Sequence, residues 1–159
     1  MQIRIRQTGA VVYESEFRSL FPNTSMPQQL TEALINDLGG DVVFEGAQAT
    51  GGTVYQYSQA DGVEQVNGKW YTKYILGPVF ADTEEATAAQ NEAAYKAAKD
   101  AEQATSVRST RGEKLKECDW TQVADAPVDK AAWATYRQAL RDVTAQAGFP
   151  WTITWPDAP

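Results

Sequence analysis

The amino-acid sequence predicts an α+β fold in three parts: a small mixed N-terminal domain with antiparallel hairpins, a long alanine-rich helix, and a small C-terminal helical and aromatic region. Residues 1–80 combine short alternating apolar segments with glycine turns, which is typical of hairpins. Residues 82–117 change abruptly to Ala, Glu, Gln and Lys, which favour helix. Four of the five tryptophans follow residue 117. We therefore expect a mixed domain at 1–80, a helical linker at 81–117 and a distinct region at 118–159.

The composition is that of a chain that folds. Of its 159 residues, 43% are hydrophobic and 22% are charged, as in an ordinary globular protein. This length allows one medium domain or two small ones.

The N-terminus predicts a β-hairpin. Between Gln2 and Arg6 the polar and apolar residues alternate, so Ile3 and Ile5 share one side of a strand. Thr8-Gly9 offers a turn, and Val11 to Tyr13 forms the returning strand.

Two helices are expected next. Ser15 to Leu20 forms one or two helical turns, and Pro27 to Leu38 carries apolar residues at helical spacing. Thr24 or Ser25 supplies the cap of the second helix, and Gly39-Gly40 ends it.

Further strands are predicted at Val42–Phe44 and Val54–Tyr57, followed by a tight hairpin over Val63–Leu76. Asn67-Gly68 is the strongest local signal in this half of the chain. Both residues tolerate the positive φ that a two-residue type I′ turn requires.

The second strand of that hairpin has an aromatic face. Trp70, Thr72 and Tyr74 project to one side, because side chains alternate along a strand. We interpret this face as core packed against a helix, with a binding surface as the alternative.

The alanine-rich segment from Asp82 to Glu117 predicts a helix roughly 50 Å long. Asp82 or Thr83 starts it, and any bend is expected at Gly112. Large apolar residues are few. Two explanations compete: a solvated helix that bridges two domains, which we favour, or a helix that packs on a second copy of the chain.

The last region predicts a helix and a strand. Val128 to Gln146 carries Trp133, Tyr136, Leu140 and Val143 on one helical side. After it, alternation in Trp151–Trp155 predicts a strand with its apolar residues on one face. So short a segment cannot bury its aromatic residues alone, so they cover the helix, each other or another protein.

The charge of the chain argues against nucleic acid and membrane partners. The net charge is −7 and the pI is about 4.6, so the molecule repels phosphate backbones and anionic lipid. No apolar run is long enough for a signal peptide or a membrane span. We therefore expect a protein that is made and used in the cytoplasm.

The residue types that usually carry catalysis are scarce. Histidine is absent, and the single cysteine, Cys118, has no partner for a disulfide or a thiolate metal site. We expect this thiol to pack at a helix end. A carboxylate-dependent hydrolase would need two convergent acids, and the candidates Asp119, Asp125 and Asp129 are explained more simply as capping residues. We expect no enzyme activity, no cofactor and no metal.

Several short stretches of the C-terminal region occur in a fixed order that resembles a known family. They are CDWTQ (118–122), DAP (125–127), AWATYRQALRD (132–142), GFP (148–150) and WP (155–156). From about Arg108 to Pro159 the chain resembles the phage tail assembly chaperone family, which occurs in tail fibre assembly proteins. The resemblance implies attachment to a tail fibre or other tail protein in the host cell cytoplasm. It implies no catalytic residues.

The aromatic and arginine residues of this region are the candidates for partner binding, because such residues are enriched where proteins meet. For Trp133 and Tyr136 a small helical core is the alternative, and for Arg137 a surface ion pair with Asp142 or Asp125. A second possibility is a structural component of the tail, baseplate or fibre that stays in the virion. A homo-oligomer is also possible. The candidates are Trp120, Trp133, Tyr136, Arg137, Arg141, Trp151 and Trp155.

Overall fold

The computed structural model describes residues 1–159, and the chain divides into two compact units, Met1–Val79 and Phe80–Pro159. The fold is α+β, as predicted. The N-terminal unit contains β1 (Gln2–Ile5), β2 (Val11–Tyr13), α1 (Glu14–Ser19), α2 (Glu32–Asp37), β3 (Gly40–Phe44), β4 (Tyr57–Val66) and β5 (Lys69–Gly77). The C-terminal unit contains α3 (Ala88–Glu117), α4 (Lys130–Asp142) and two short 3₁₀ helices, Asp119–Gln122 and Val143–Ala145.

The five strands of the N-terminal unit form one sheet in the order β2-β1-β3-β5-β4. All neighbours are antiparallel except β3 and β5, which are parallel. The core lies between one sheet face and the two short helices, where Ile3, Phe17 and Ile35 are fully buried. A Cβ at Gly40 would lie 2.8 Å from a methyl carbon of both isoleucines, so only glycine fits this contact.

The predicted tight hairpin is confirmed. Asn67 has a φ of 51° and Gly68 a φ of 80°, as a type I′ turn requires. β4 is longer than expected, and its register shifts between Ala60 and Val63 at a bulge.

Two local predictions in this unit are wrong. The second helix begins at Glu32 instead of Pro27, because Thr31, and not Thr24 or Ser25, accepts the capping hydrogen bond from the Leu34 amide. The segment before this helix has no regular secondary structure, although part of it packs against the core.

The predicted strand at Val54–Tyr57 is instead a turn that leads into β4. The Thr53 amide donates to the Gln56 side chain, and the Gln56 amide donates back to the Thr53 carbonyl. These reciprocal hydrogen bonds close the backbone on itself and leave no extended segment before Tyr57.

The aromatic sheet face is also not where α1 and α2 pack. Val42 belongs to the helix-covered core, whereas Trp70 pairs with Val43, which points to the opposite face. There the Arg4 guanidinium lies 4.1 Å from the Trp70 ring centre. The strand pattern predicted which residues share a face, but not which face the helices cover.

In the C-terminal unit the long helix starts later than predicted. Thr87 caps α3 in a reciprocal capping box with Gln90, while Asp82 and Thr83 lie in the turn before it. The helix is roughly 45 Å long at 1.5 Å per residue and continues through Gly112 without interruption.

The long helix does not stand alone. It packs against α4 and both 3₁₀ helices, and its residues Ala104 and Val107 are buried. Small alanine side chains let other segments approach closely, which explains why a helix with few large apolar residues still has a covered side. None of the helices combines the length and the apolar character that a membrane span requires.

The last predicted helix is shorter than expected and the last predicted strand is absent. Asp129 caps α4, which ends at Asp142, and a 3₁₀ helix follows. Residues 151–155 have no strand partner and continue from a turn in which the Gly148 carbonyl accepts two backbone hydrogen bonds. Burial still alternates: Trp151, Ile153 and Trp155 are half-buried, and both intervening threonines are exposed.

Candidate docking surface of the C-terminal unit

An aromatic patch lies at the end of α3 and consists of Trp120, Val123, Trp133 and Tyr136. Val123 is the C-cap of the 3₁₀ helix that follows α3, and its amide donates to the Trp120 carbonyl at 3.3 Å, which keeps the two residues close together. Each of them is 52% exposed. The Trp120 and Trp133 ring centres are 6.1 Å apart, and Trp133 meets Tyr136 edge to face at 5.6 Å.

The patch is continuous with the core of its unit. Trp133 and Tyr136 are half-buried on the side of α4 whose residue Leu140 is fully buried. Burial raises the pKa of Tyr136, with smaller contributions from Cys118 and Glu117. Trp133 and Tyr136 therefore lie beside the buried core without being part of it, and Trp120 and Val123 are open to solvent.

Arg137 fastens α4 to the end of α3. Its Nη1 donates to the Leu115 carbonyl at 2.8 Å and to the Cys118 sulfur at 3.0 Å, and its Nη2 donates to an Asp119 carboxylate oxygen at 2.8 Å. Burial disfavours the charged guanidinium, but the hydrogen bonds to Asp119 and Cys118 outweigh it and raise the pKa of Arg137. A cation here also matches the negative end of the helix.

This arrangement corrects the expected ion pair of Arg137. The partner is Asp119, and neither Asp142 nor Asp125. The Arg137 side chain is only 11% exposed. The group therefore acts within the unit and fixes the residue next to Trp120.

Cys118 packs at a helix end, as predicted. It is the C-cap of α3, it is buried, and its thiol donates to the Leu115 carbonyl at 3.2 Å. Arg137 approaches the same sulfur. The thiol is thus part of the junction between α3 and α4.

Arg141 lies one helical turn after Arg137 on α4, but its surroundings differ. It is exposed, and its nearest polar contact is a long hydrogen bond of 3.4 Å to Gln138. It forms no ion pair, so its guanidinium is available to a partner.

The last two tryptophans lie against α3. The Trp151 indole N–H donates to the Asp100 carboxylate at 2.5 Å, and the Lys114 ammonium lies 5.6 Å from the Trp155 ring centre. Both side chains are half-buried. These indoles therefore already have partners in their own chain.

Val123 and the role of Asp119 were not predicted from the sequence. Val123 could have been found from its position three residues after Trp120, because a 3₁₀ turn brings residues at this spacing close together. Of the acidic candidates, Asp119 pairs with Arg137 and Asp129 caps α4 through two backbone amides.

Comparison with known proteins gives one finding. No curated protein and no solved structure matches the chain. Residues 104–159 match the family described as phage tail assembly chaperone protein. The matched segment begins in the second half of α3 and contains all of the aromatic patch. The C-terminal third of this chain is therefore similar to the phage tail assembly chaperones, which supports a role in phage tail assembly.

Proposed function

We propose that this protein is a phage tail assembly chaperone that binds a tail fibre or another tail protein through the aromatic patch, with Arg141 contributing from the neighbouring exposed side of α4. In this proposal the protein acts in the host cytoplasm and is not an enzyme. The observation that carries the proposal is the pair of half-exposed apolar residues, Trp120 and Val123, within the segment that matches the family.

The patch has the properties of a protein contact. Covering the open halves of Trp120 and Val123 would contribute about 1.5–3 kcal/mol together, because fully burying one apolar side chain contributes about 1.5–3 kcal/mol. Tryptophan and arginine are the side chains most often found at energetic centres of interfaces. A chaperone that shields an apolar surface of its client needs such a surface of its own.

Trp151 and Trp155 take a different part in the proposal. Because Asp100 and Lys114 of α3 already contact them, they hold the C-terminal segment in place and meet the client only through their open edges. Arg137 contributes indirectly, by holding Asp119 beside Trp120.

Co-expression with candidate tail proteins tests the proposal. A client should become soluble, and be retained in a pull-down, only when the chaperone is present. Trp120→Ala should weaken binding of the client about thirtyfold or more, since tryptophan truncation at an interface centre costs about 2 kcal/mol or more. Val123→Ser should weaken it less.

Val54→Ser is the matched control for Val123→Ser. Val54 is a similarly exposed valine, at 58%, in the N-terminal unit. If Trp120→Ala and Val123→Ser retain every client as well as Val54→Ser does, the patch is not the docking surface. Mass spectrometry of purified particles then shows whether the protein leaves the client or stays in the virion.

A further inference from the structure

The N-terminal unit contains a cleft of about 440 Å³ on the sheet face opposite α1 and α2. Tyr13 and Tyr74 contribute aromatic rings to its lining, and Glu45 contributes a carboxylate. Gln2, Val43 and Thr72 also line it. We call it the tyrosine cleft.

Two rows of side chains lead into this cleft. Asp41, Val43 and Glu45 follow one face of β3 and its end, and Trp70, Thr72 and Tyr74 follow the same face of β5, since Val43 pairs with Trp70. The β3 row has a carboxylate at each end, and the β5 row has an aromatic ring at each end.

At one end of the rows a cation lies between the carboxylate and the ring. The Arg4 guanidinium is 4.1 Å from the Trp70 ring centre, and its Nη1 lies 3.4 Å from an Asp41 carboxylate oxygen. The Arg4 guanidinium reaches both groups, because its flat face stacks on the ring and its N–H edge faces the carboxylate, which also pairs with Arg6 at 2.8 Å.

At the other end the carboxylate forms no ion pair, although Met1 with its terminal ammonium also lines the cleft. Glu45 accepts hydrogen bonds from the Tyr74 hydroxyl and, at 3.3 Å, from the Gln48 side chain, and it forms no ion pair. The hydrogen bond to Glu45 raises the pKa of Tyr74. A carboxylate and an aromatic ring are thus held together here without an ion-paired guanidinium like that of Arg4 at the other end.

We propose that the tyrosine cleft binds the guanidinium group of an arginine side chain from a partner protein. Glu45 forms the ion pair, and the ring of Tyr74, whose hydroxyl donates to Glu45, stacks on the planar cation. The net charge of −7 favours the approach of a basic segment. This site is distinct from the aromatic patch and does not depend on its function.

Nuclear magnetic resonance of the ¹⁵N-labelled full chain tests this proposal, with the peptide acetyl-Gly-Arg-Gly-amide as the probe. Saturable shifts are expected for the backbone amides of Val43, Glu45, Thr72 and Tyr74. The same peptide with citrulline, which keeps the shape of arginine but lacks its charge, should bind roughly fivefold more weakly.

Glu45→Gln should reduce arginine-peptide binding by a similar factor of roughly five. Glu64→Gln is the matched control, because Glu64 pairs with Tyr71 and therefore lies on the other face of the sheet. It removes the same charge and should leave binding unchanged.

The proposal is overturned if the citrulline peptide binds as well as the arginine peptide, if the shifts do not saturate in this region, or if the two glutamate variants behave alike. Trp120→Ala should leave the titration unchanged. The two proposals therefore succeed or fail separately.

Discussion

Replacing Arg137 by glutamine should destabilise the C-terminal unit by about 2 kcal/mol. The charge-assisted hydrogen bond from Nη1 to the Leu115 carbonyl contributes about 1.5–3 kcal/mol. Asp119 is 64% exposed, so its ion pair adds about 0–1 kcal/mol. The Arg137 Nε is buried without a partner. Its removal therefore relieves a desolvation cost of about 1 kcal/mol, which offsets part of the lost stability.

Unfolding in guanidinium chloride, followed by tryptophan fluorescence, measures this loss. Four of the five tryptophans lie in the C-terminal unit, so the signal reports mainly on that unit. The dependence of the unfolding free energy on denaturant is about 2 kcal/mol per molar for a unit of this size, so the midpoint should fall by about 1 M. Arg141→Gln, one turn later on the same helix, should change the free energy by less than about 0.5 kcal/mol.

Equal midpoints for the two arginine variants would refute the reasoning. That result would mean that the three contacts of Arg137 add nothing beyond what water provides to an exposed arginine. A different result would also contradict the reasoning: Asp119→Asn could lower the midpoint as much as Arg137→Gln does. The stabilisation would then come from the ion pair alone, and not mainly from the hydrogen bond to the Leu115 carbonyl.

Two further predictions concern backbone and pH. Gly68→Ala should destabilise the N-terminal unit by about 1 kcal/mol, because alanine is strained at positive φ. Gly112→Ala should stabilise α3 by about 1 kcal/mol, because alanine favours helix more than glycine does and a Cβ there meets open space. Thermal unfolding should therefore show a lower midpoint for the first variant and a higher midpoint for the second. The pKa of Tyr136 is raised in the folded chain, so its contribution to stability is complete below the ordinary tyrosine value of 10.0 and is lost as pH rises through the folded value. Denaturation at alkaline pH should show a shallower decline for Tyr136→Phe than for the parent.

The sequence predicted best where one local rule decides the structure. The Asn67-Gly68 turn was correct because few residue pairs adopt two successive positive φ angles. The order of helices and strands in the N-terminal unit was also correct except at Val54–Tyr57, where side-chain hydrogen bonds between Thr53 and Gln56 form a turn.

The sequence predicted poorly where distant partners decide. Trp151–Trp155 has the alternation of a strand, and its burial does alternate, but a strand also needs a neighbour to accept its hydrogen bonds. The choice of core face in the sheet likewise depended on where α1 and α2 pack. Similarly, the Arg137 cluster joins residues 18 to 22 positions apart, and only the packing of α4 on α3 brings them together.

The tryptophans at the end of the chain and Trp120 have different surroundings, which suit a structural role and a docking role respectively. Trp151 and Trp155 interact with Asp100 and Lys114 of α3, so they have polar partners in their own chain. Trp120 keeps half of its surface open, yet the residue before it is held by Arg137. A rigidly presented aromatic side chain loses little conformational entropy when a partner covers it. Arg137→Gln should therefore weaken client binding even under conditions in which the unit remains folded. A client that binds this variant with unchanged affinity would show that the presentation of Trp120 does not depend on the contacts of Arg137.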